Sequence, residues 1–169
     1  MKKKVAILGS TGSIGKTLIN IIKQDKKNFE IVLLSADENY KQLLKQAKFF
    51  KVKNLIITNQ NSYKKVKENR FYKNMNIYND FNSFRKIFKK KIDYTMSSIS
   101  GIQGLKPTIE IIKYTKKIAI ANKEAIICGW DLIEKRLNKH KTKFIPVDSE
   151  HFSIWYALQE IEKNLIEKI

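Results

Sequence analysis

The stretch KKKVAILGSTGSIGKTLINIIKQ, residues 2–24, constrains the fold more than any other part of the chain. An apolar run, VAIL, gives way at once to glycines at positions 9, 12 and 15. Apolar residues then recur at helical spacing, with Ile14, Leu18, Ile21 and Ile22 expected on one side. A buried strand turning sharply into a helix is the context in which a glycine run carries information. Gly9 permits the tight turn, Gly12 lets a phosphate group approach the backbone, and Gly15 lets helix and strand lie close. The N–H groups and dipole of the helix start favour an anion there. The spacing is G-x-x-G-x-x-G rather than the commoner G-x-G-x-x-G, and the competing reading is a tight turn that holds nothing.

The alternation continues to the end of the chain. FEIVLLSA, KNLIIT, MNIYN, IDYTMSSI, KKIAIA and KTKFIPV read as strands. NYKQLLKQAKFF, the charged stretch 62–72, SFRKIFKK, LKPTIEIIKYT, EAIICGWDLIEKRLNKH and HFSIWYALQEIEKNLIEKI read as helices. Gly101 and Gly104 mark a turn, and Pro107 falls in a first helical turn, where a missing N–H does little harm. Strands alternating with helices imply an α/β fold: a Rossmann-like, doubly wound, mostly parallel sheet covered on both faces. Ligands of such sheets collect at the carboxyl ends of the strands.

Composition narrows the class. The 169 residues, 43% of them hydrophobic and only two of them proline, suffice for one full domain and the start of a second. No apolar run approaches the roughly 18 residues of a membrane span, and VAIL is shorter than the core of a signal peptide. A cytoplasmic chain with no membrane contact is expected. The one cysteine, Cys128, excludes an internal disulfide and a cysteine metal site. A net charge of +18 invites a nucleic-acid reading, but only three of the 34 basic residues are arginine and the lysines are spread throughout. Specific nucleic-acid contacts favour arginine, so the charge reads as compositional bias, with weak binding to polyanions at low salt.

Three further motifs stand at strand ends. In SADEN, Asp37 and Glu38 are candidates for binding a ribose 2′-hydroxyl and would repel a 2′-phosphate, which by itself points towards NADH. The alternative is a solvated turn with Asn39 capping the next helix. In IAIANKEAII, Asn122, Lys123 and Glu124 set an amide, a cation and a carboxylate at the ligand edge, although a capped helix with a charged first turn looks the same. In FIPVDSEH, Asp148 and Glu150 lie two residues apart, so in extended geometry both can converge on one hard cation, Mg²⁺ or Mn²⁺. Ser149 could meet a substrate and His151 could support the site; the bland reading makes Asp148 a helix cap.

In their order, GSTGSIG, SGIQGLKPT, IAIANKEAII and PVDSEH resemble the 1-deoxy-D-xylulose 5-phosphate reductoisomerase family, over nearly the whole chain. ANKE and PVDSEH together are specific, since other Rossmann dehydrogenases do not share them. The resemblance implies isomerisation of 1-deoxy-D-xylulose 5-phosphate and its reduction by NADPH to 2-C-methyl-D-erythritol 4-phosphate, in non-mevalonate isoprenoid biosynthesis. It implies a divalent cation, Mn²⁺, Mg²⁺ or Co²⁺, and a homodimer for the full-length enzyme. Matched residue by residue, Thr11, Gly12, Ser13 and Ile14 would line the NADPH pyrophosphate, with Asn39, Asn122 and Glu124 also facing cofactor. Lys123 and Glu150 would be catalytic, Lys123, Ser149 and Glu150 would touch the phosphosugar substrate, and Asp148 and Glu150 would hold the metal. Asp37 departs from the family, which usually carries glycine or another uncharged residue there. The family is also much longer, so residues 1–141 are expected to form the NADPH-binding domain and 142–169 the first segment of a truncated catalytic domain, inactive alone. An inactive dinucleotide-binding remnant or a related Rossmann oxidoreductase are the alternatives.

Overall fold

Strand β1 (Lys3–Leu8) is buried on both faces, Val5 and Ile7 packing to one side and Ala6 and Leu8 to the other. That double burial is why its sequence is continuously apolar instead of alternating. Each such Ile or Leu side chain taken from water stabilises the fold by about 1.5–3 kcal/mol, and β1 sits where the sheet is best covered. The computed structural model describes residues 1–147 and 149–158, residues 149–151 by their backbone alone.

From β1 the chain runs through α1 (Ser13–Gln24), β2 (Phe29–Ala36), α2 (Tyr40–Phe50), β3 (Asn54–Ile57), α3 (Gln60–Lys67) and β4 (Asn76–Tyr78). It continues through α4 (Phe84–Ile87), β5 (Ile92–Ser97), α5 (Leu105–Ile111), β6 (Thr115–Ile120), α6 (Lys123–His140), β7 (Lys143–Pro146) and α7 (Ser149–Ala157). The strand order is β4-β3-β2-β1-β5-β6-β7, with all six pairings parallel. The chain therefore winds outward from β1 to β4, returns across the sheet, and winds outward again from β5 to β7. The direction reverses between β1 and β5, and it is at such a switch point that doubly wound sheets open a crevice.

One core lies beneath α1, α2 and α3 and includes Ile19, Ile22, Leu43, Ala47 and Val66; the other lies beneath α4, α5 and α6 and includes Phe84, Ile111, Ile112, Ile133 and Leu137. Helix α1 departs from the expected face. Gly15, Ile19 and Ile22 are buried, whereas Ile14 is 39% and Ile21 55% exposed. The bare backbone of Gly15 sets the line of contact, and its i+4 and i+7 partners follow it into the core. Two helices are shorter than the sequence suggests: the charged 62–72 stretch ends as α3 at Lys67, before a 3₁₀ turn at Arg70–Tyr72, and SFRKIFKK contributes the four residues of α4. Strand β7 pairs with β6 as the seventh strand of the sheet, so the sheet runs on past the expected boundary at 141/142, which falls in the turn between α6 and β7. Among the described residues no helix is long and apolar enough to cross a membrane.

Candidate nucleotide-binding crevice

The crevice is built from the β1–α1 turn. Gly9 adopts φ +78°, open to glycine at no steric cost, and a Cβ there would come within 2.7 Å of the Ser98 carbonyl oxygen. The Gly9 N–H donates to Ser35 Oγ (3.0 Å) and the Ser10 N–H to the Ser35 carbonyl (2.9 Å), which ties the turn to the end of β2. From α2, Gln46 bolts the turn from below. Its amide nitrogen donates to the Ser10 carbonyl (2.9 Å), and its oxygen accepts from Ser10 Oγ (2.7 Å), both residues being buried. On the other side, Ser98 Oγ donates to the carbonyls of Leu8 and Gly9 (2.8 and 3.3 Å), closing the β1–β5 seam.

Helix α1 starts without a side-chain cap. Its N-cap is Gly12, in extended backbone (φ −74°, ψ 175°), with no acid in the first turn. Helices α2, α3 and α6 are capped by asparagines: the Asn39, Asn59 and Asn122 side chains accept from the N–H groups of Gln42, Ser62 and Ala125. The first-turn N–H groups of any helix have no intrahelical partner, so α1 presents its own to whatever enters the crevice. That space is a cavity of about 490 Å³, lined by Thr11 and Gly12 after β1, Ser35 and Ala36 at the end of β2 with Asp37 just past it, Thr58 after β3 and Ser98 to Ser100 after β5. Asp37 is the one ionisable side chain among its described lining residues. Its carboxylate accepts from Thr58 Oγ1 at 2.7 Å.

The expected site residues divide into four groups. Thr11 and Gly12 line the cavity, and the exposed Ser13 and Ile14 open α1 beside it. Asn39 and Asn122 are helix caps. Asn122 is only 3% exposed, and its amide nitrogen donates to the carbonyls of Ile99 and Gly101 (both 2.6 Å) while its oxygen accepts from Ala125 N–H (2.8 Å). It thus holds the 99–101 loop against the crevice from inside, and Gly104 makes room for it, since a Cβ there would lie 2.5 Å from that nitrogen. Lys123 and Glu124 are on the first turn of α6, Lys123 exposed. Asp148 and the side chains of Ser149 and Glu150, the expected metal and substrate groups, and of His151, expected to support them, lie outside the described residues. Among the described residues, no group of three or more His, Cys, Asp or Glu side chains could hold a metal ion. Sequence reasoning missed Ser35, Gln46, Thr58 and Ser98. The visible signal for Gln46 was a polar residue at a core position of an amphipathic helix, between Leu43 and Ala47.

An all-parallel, doubly wound sheet with an uncapped glycine-rich helix start at its switch point defines a Rossmann-like nucleotide-binding type of domain. Residues 5–129 match the family described as 1-deoxy-D-xylulose 5-phosphate reductoisomerase. The chain belongs to that family. A Pelagibacter ubique 1-deoxy-D-xylulose 5-phosphate reductoisomerase is 58% identical over 99% of this chain and 44% of its own length. The Zymomonas mobilis enzyme, solved in complex with NADPH, superposes with a TM-score of 0.81 at 30% identity, covering 89% of this chain and 40% of that one. A reductoisomerase solved with NADPH, fosmidomycin and magnesium superposes equally well, TM-score 0.81 at 29% identity, over 93% of this chain and 40% of that one. The chain therefore spans less than half the length of these relatives.

Proposed function

We propose that this chain is the dinucleotide-binding part of a 1-deoxy-D-xylulose 5-phosphate reductoisomerase. The observation that carries the reading is the uncapped start of α1 facing a cavity at the switch point, in a member of this family. The residues fit a dinucleotide: Gly12 leaves its Cβ position open to the cavity, with only the Gly9 carbonyl within 4 Å, at 3.5 Å. NADPH, which the related enzymes carry in their structures, supplies the hydride when bound. The chain's own residues bind and orient it. Thr11, Gly12, Ser13 and Ile14 line the pyrophosphate, and Asn122 holds the 99–101 loop that walls the crevice.

At the next strand end, Lys123 contacts the phosphosugar and Glu124 faces the cofactor. Asp148 and Glu150 would hold a divalent cation, Mg²⁺ or Mn²⁺, which would supply Lewis-acid polarisation of the substrate's oxygens. Ser149 and Glu150 touch the substrate. Residues 1–141 form the dinucleotide-binding domain, and from 142 the chain passes into the catalytic part through a strand shared with the same sheet. The whole enzyme works in the cytoplasm as a homodimer, without nucleic acid or membrane. Titrating the 169-residue chain against NADPH fluorescence tests the binding step, with saturable one-to-one binding expected and no binding at millimolar NADPH overturning it. Oxidation of NADPH dependent on 1-deoxy-D-xylulose 5-phosphate and Mn²⁺, by a protein of the relatives' length that carries this chain, tests the reaction.

A further inference from the structure

We propose that Asp37 is the specificity-determining residue of the crevice's ribose end, and that it makes this chain bind NADH at least as tightly as NADPH. The inference rests on the reading of the crevice as a dinucleotide site and departs from the family's example at one position. Three observations converge on it. Asp37 follows directly on β2 and lines the cavity together with Ser35 and Ala36, the place from which an acid reaches an adenosine ribose in doubly wound folds. Its carboxylate is steadied by Thr58 Oγ1 at 2.7 Å. That bond uses a fraction of the acceptor capacity of two oxygens and leaves the group able to accept from a ribose hydroxyl.

The third observation is charge. A 2′-phosphate brings about −1.5 to −2 charges at neutral pH and needs a cation or several donors. This chain carries a formal charge of +18, yet none of its lysines or arginines is among the described residues lining the cavity, where the one charge is negative. Glu38, next along the turn and exposed, adds a second negative charge, and the Asn39 side-chain oxygen is engaged in capping α2. Two like charges a few ångströms apart repel even in water-filled surroundings, enough to cancel a modest preference for the phosphorylated nucleotide. Within SADEN, Asn39 caps α2, while Asp37, two residues earlier, lines the cavity.

The test is a pair of fluorescence titrations, NADH and NADPH, on the 169-residue chain and on three variants. Asp37→Ser removes the charge, Asp37→Asn keeps the size and a hydrogen bond to Thr58, and Thr58→Val keeps the charge but frees the carboxylate. Asp37 is exposed on a turn, and far-ultraviolet circular dichroism checks that each variant folds. For the unaltered chain the dissociation constant for NADH should equal or undercut that for NADPH. Asp37→Ser and Asp37→Asn should each move the ratio towards NADPH by about tenfold or more, and Thr58→Val should weaken NADH alone. A clear NADPH preference in the unaltered chain, or a ratio unmoved by both Asp37 variants, overturns the assignment while the dinucleotide site stands. Failure of both nucleotides to bind overturns the site and this assignment together.

Discussion

Two strand-to-helix crossings at the same edge of the sheet are built in opposite ways. At β6–α6 the protein completes its own helix start: Asn122 caps α6 through Ala125 N–H, uses its remaining donors on the carbonyls of Ile99 and Gly101, and is followed by Glu124 against the positive end of the helix. At β1–α1 nothing of the kind is present. The N-cap is Gly12, no side chain of its own accepts from the first turn, and that turn contains no acid. Every helix start offers N–H groups and a positive dipole end. What distinguishes an anion site is that the chain leaves that end unfilled, and here glycines keep it so.

The largest effect should come from closing the contact that makes the open crossing possible. A Cβ on Gly15 would lie 2.3 Å from the Gly9 carbonyl oxygen and 2.6 Å from Ser10 Cα, both backbone atoms locked by the bonds of Ser35 and Gln46. Gly15→Ala should therefore destabilise the chain by about 3 kcal/mol or more, read as a lower urea midpoint. A loss under about 1 kcal/mol would mean the turn yields, and the contrast with the capped crossing would be one of degree.

Next comes the capped crossing. Asn122→Ala removes a cap whose loss alone costs about 1 kcal/mol and takes the amide donor away from the partly buried carbonyls of Ile99 and Gly101. Leaving buried acceptors unmade adds about 1–3 kcal/mol, so a total of about 2–4 kcal/mol is expected in the same urea measurement. Asn122→Asp should fare no better, because it restores the cap but sets a carboxylate against the Ile99 and Gly101 oxygens. If aspartate rescued the fold, the capping bond would be the main contribution and the clamp on the loop a minor one.

Gly12→Ala separates stability from binding. The new methyl would meet only the Gly9 carbonyl, at 3.5 Å, an ordinary contact, and the backbone there suits any residue. Stability should fall by no more than about 1 kcal/mol, the difference between glycine and alanine at an N-cap. Dinucleotide affinity should fall about tenfold or more, since the methyl occupies the space where a pyrophosphate would approach. Equal affinities for the two chains would show that the open helix start is a structural turn.

Much of this was legible in the sequence, for a local reason. Strand and helix signals are written in periodicities of a few residues, so β2 emerges where FEIVLLSA suggests and β7 within KTKFIPV, and the three glycines announce the turn. What joins parts far apart in the chain was not legible. Gln46 reaches Ser10 across 36 residues, and Ser98 reaches Leu8 across 90. Nothing near either partner predicts the pairing. Asn122 stands where the sequence puts it, at the ligand edge, yet it works inward. Its cap on Ala125 is local, but its burial and its two hydrogen bonds to Ile99 and Gly101 depend on a loop some 20 residues away, which local pattern does not reveal. The face of α1 was misjudged because Gly15, without a side chain, gives no hydrophobic signal yet sets the contact.

The smallest effect compares two acids at opposite edges of the sheet. Asp37, at the carboxyl edge, has a threonine hydroxyl for a partner. Asp93, at the amino edge where β5 starts, accepts from Lys116 Nζ at 2.8 Å and from the Lys4 backbone N–H at 2.9 Å. The bond from Lys116 foremost, then the one from Lys4, hold its carboxyl below the ordinary value of 3.8, against a smaller opposing effect of burial. A carboxyl depressed on folding stabilises the folded chain above its unfolded value and loses that contribution as the pH falls through the folded one. The Asp93 contribution should therefore be complete above about pH 5 and fade below pH 3.8. Both partners are substantially exposed, 62% for the Lys116 and 34% for the Asp93 side chain, so the amount is about 0.5 kcal/mol and falls with salt. Urea midpoints of the unaltered chain and Asp93→Asn should differ at pH 7 and draw together as the pH falls below 3.8. A gap independent of pH would assign the effect of Asp93 to shape instead of charge. The sheet would then pair an acid with a cation at one edge to no electrostatic end, and Asp37 at the other would be the only carboxylate of the two whose charge matters.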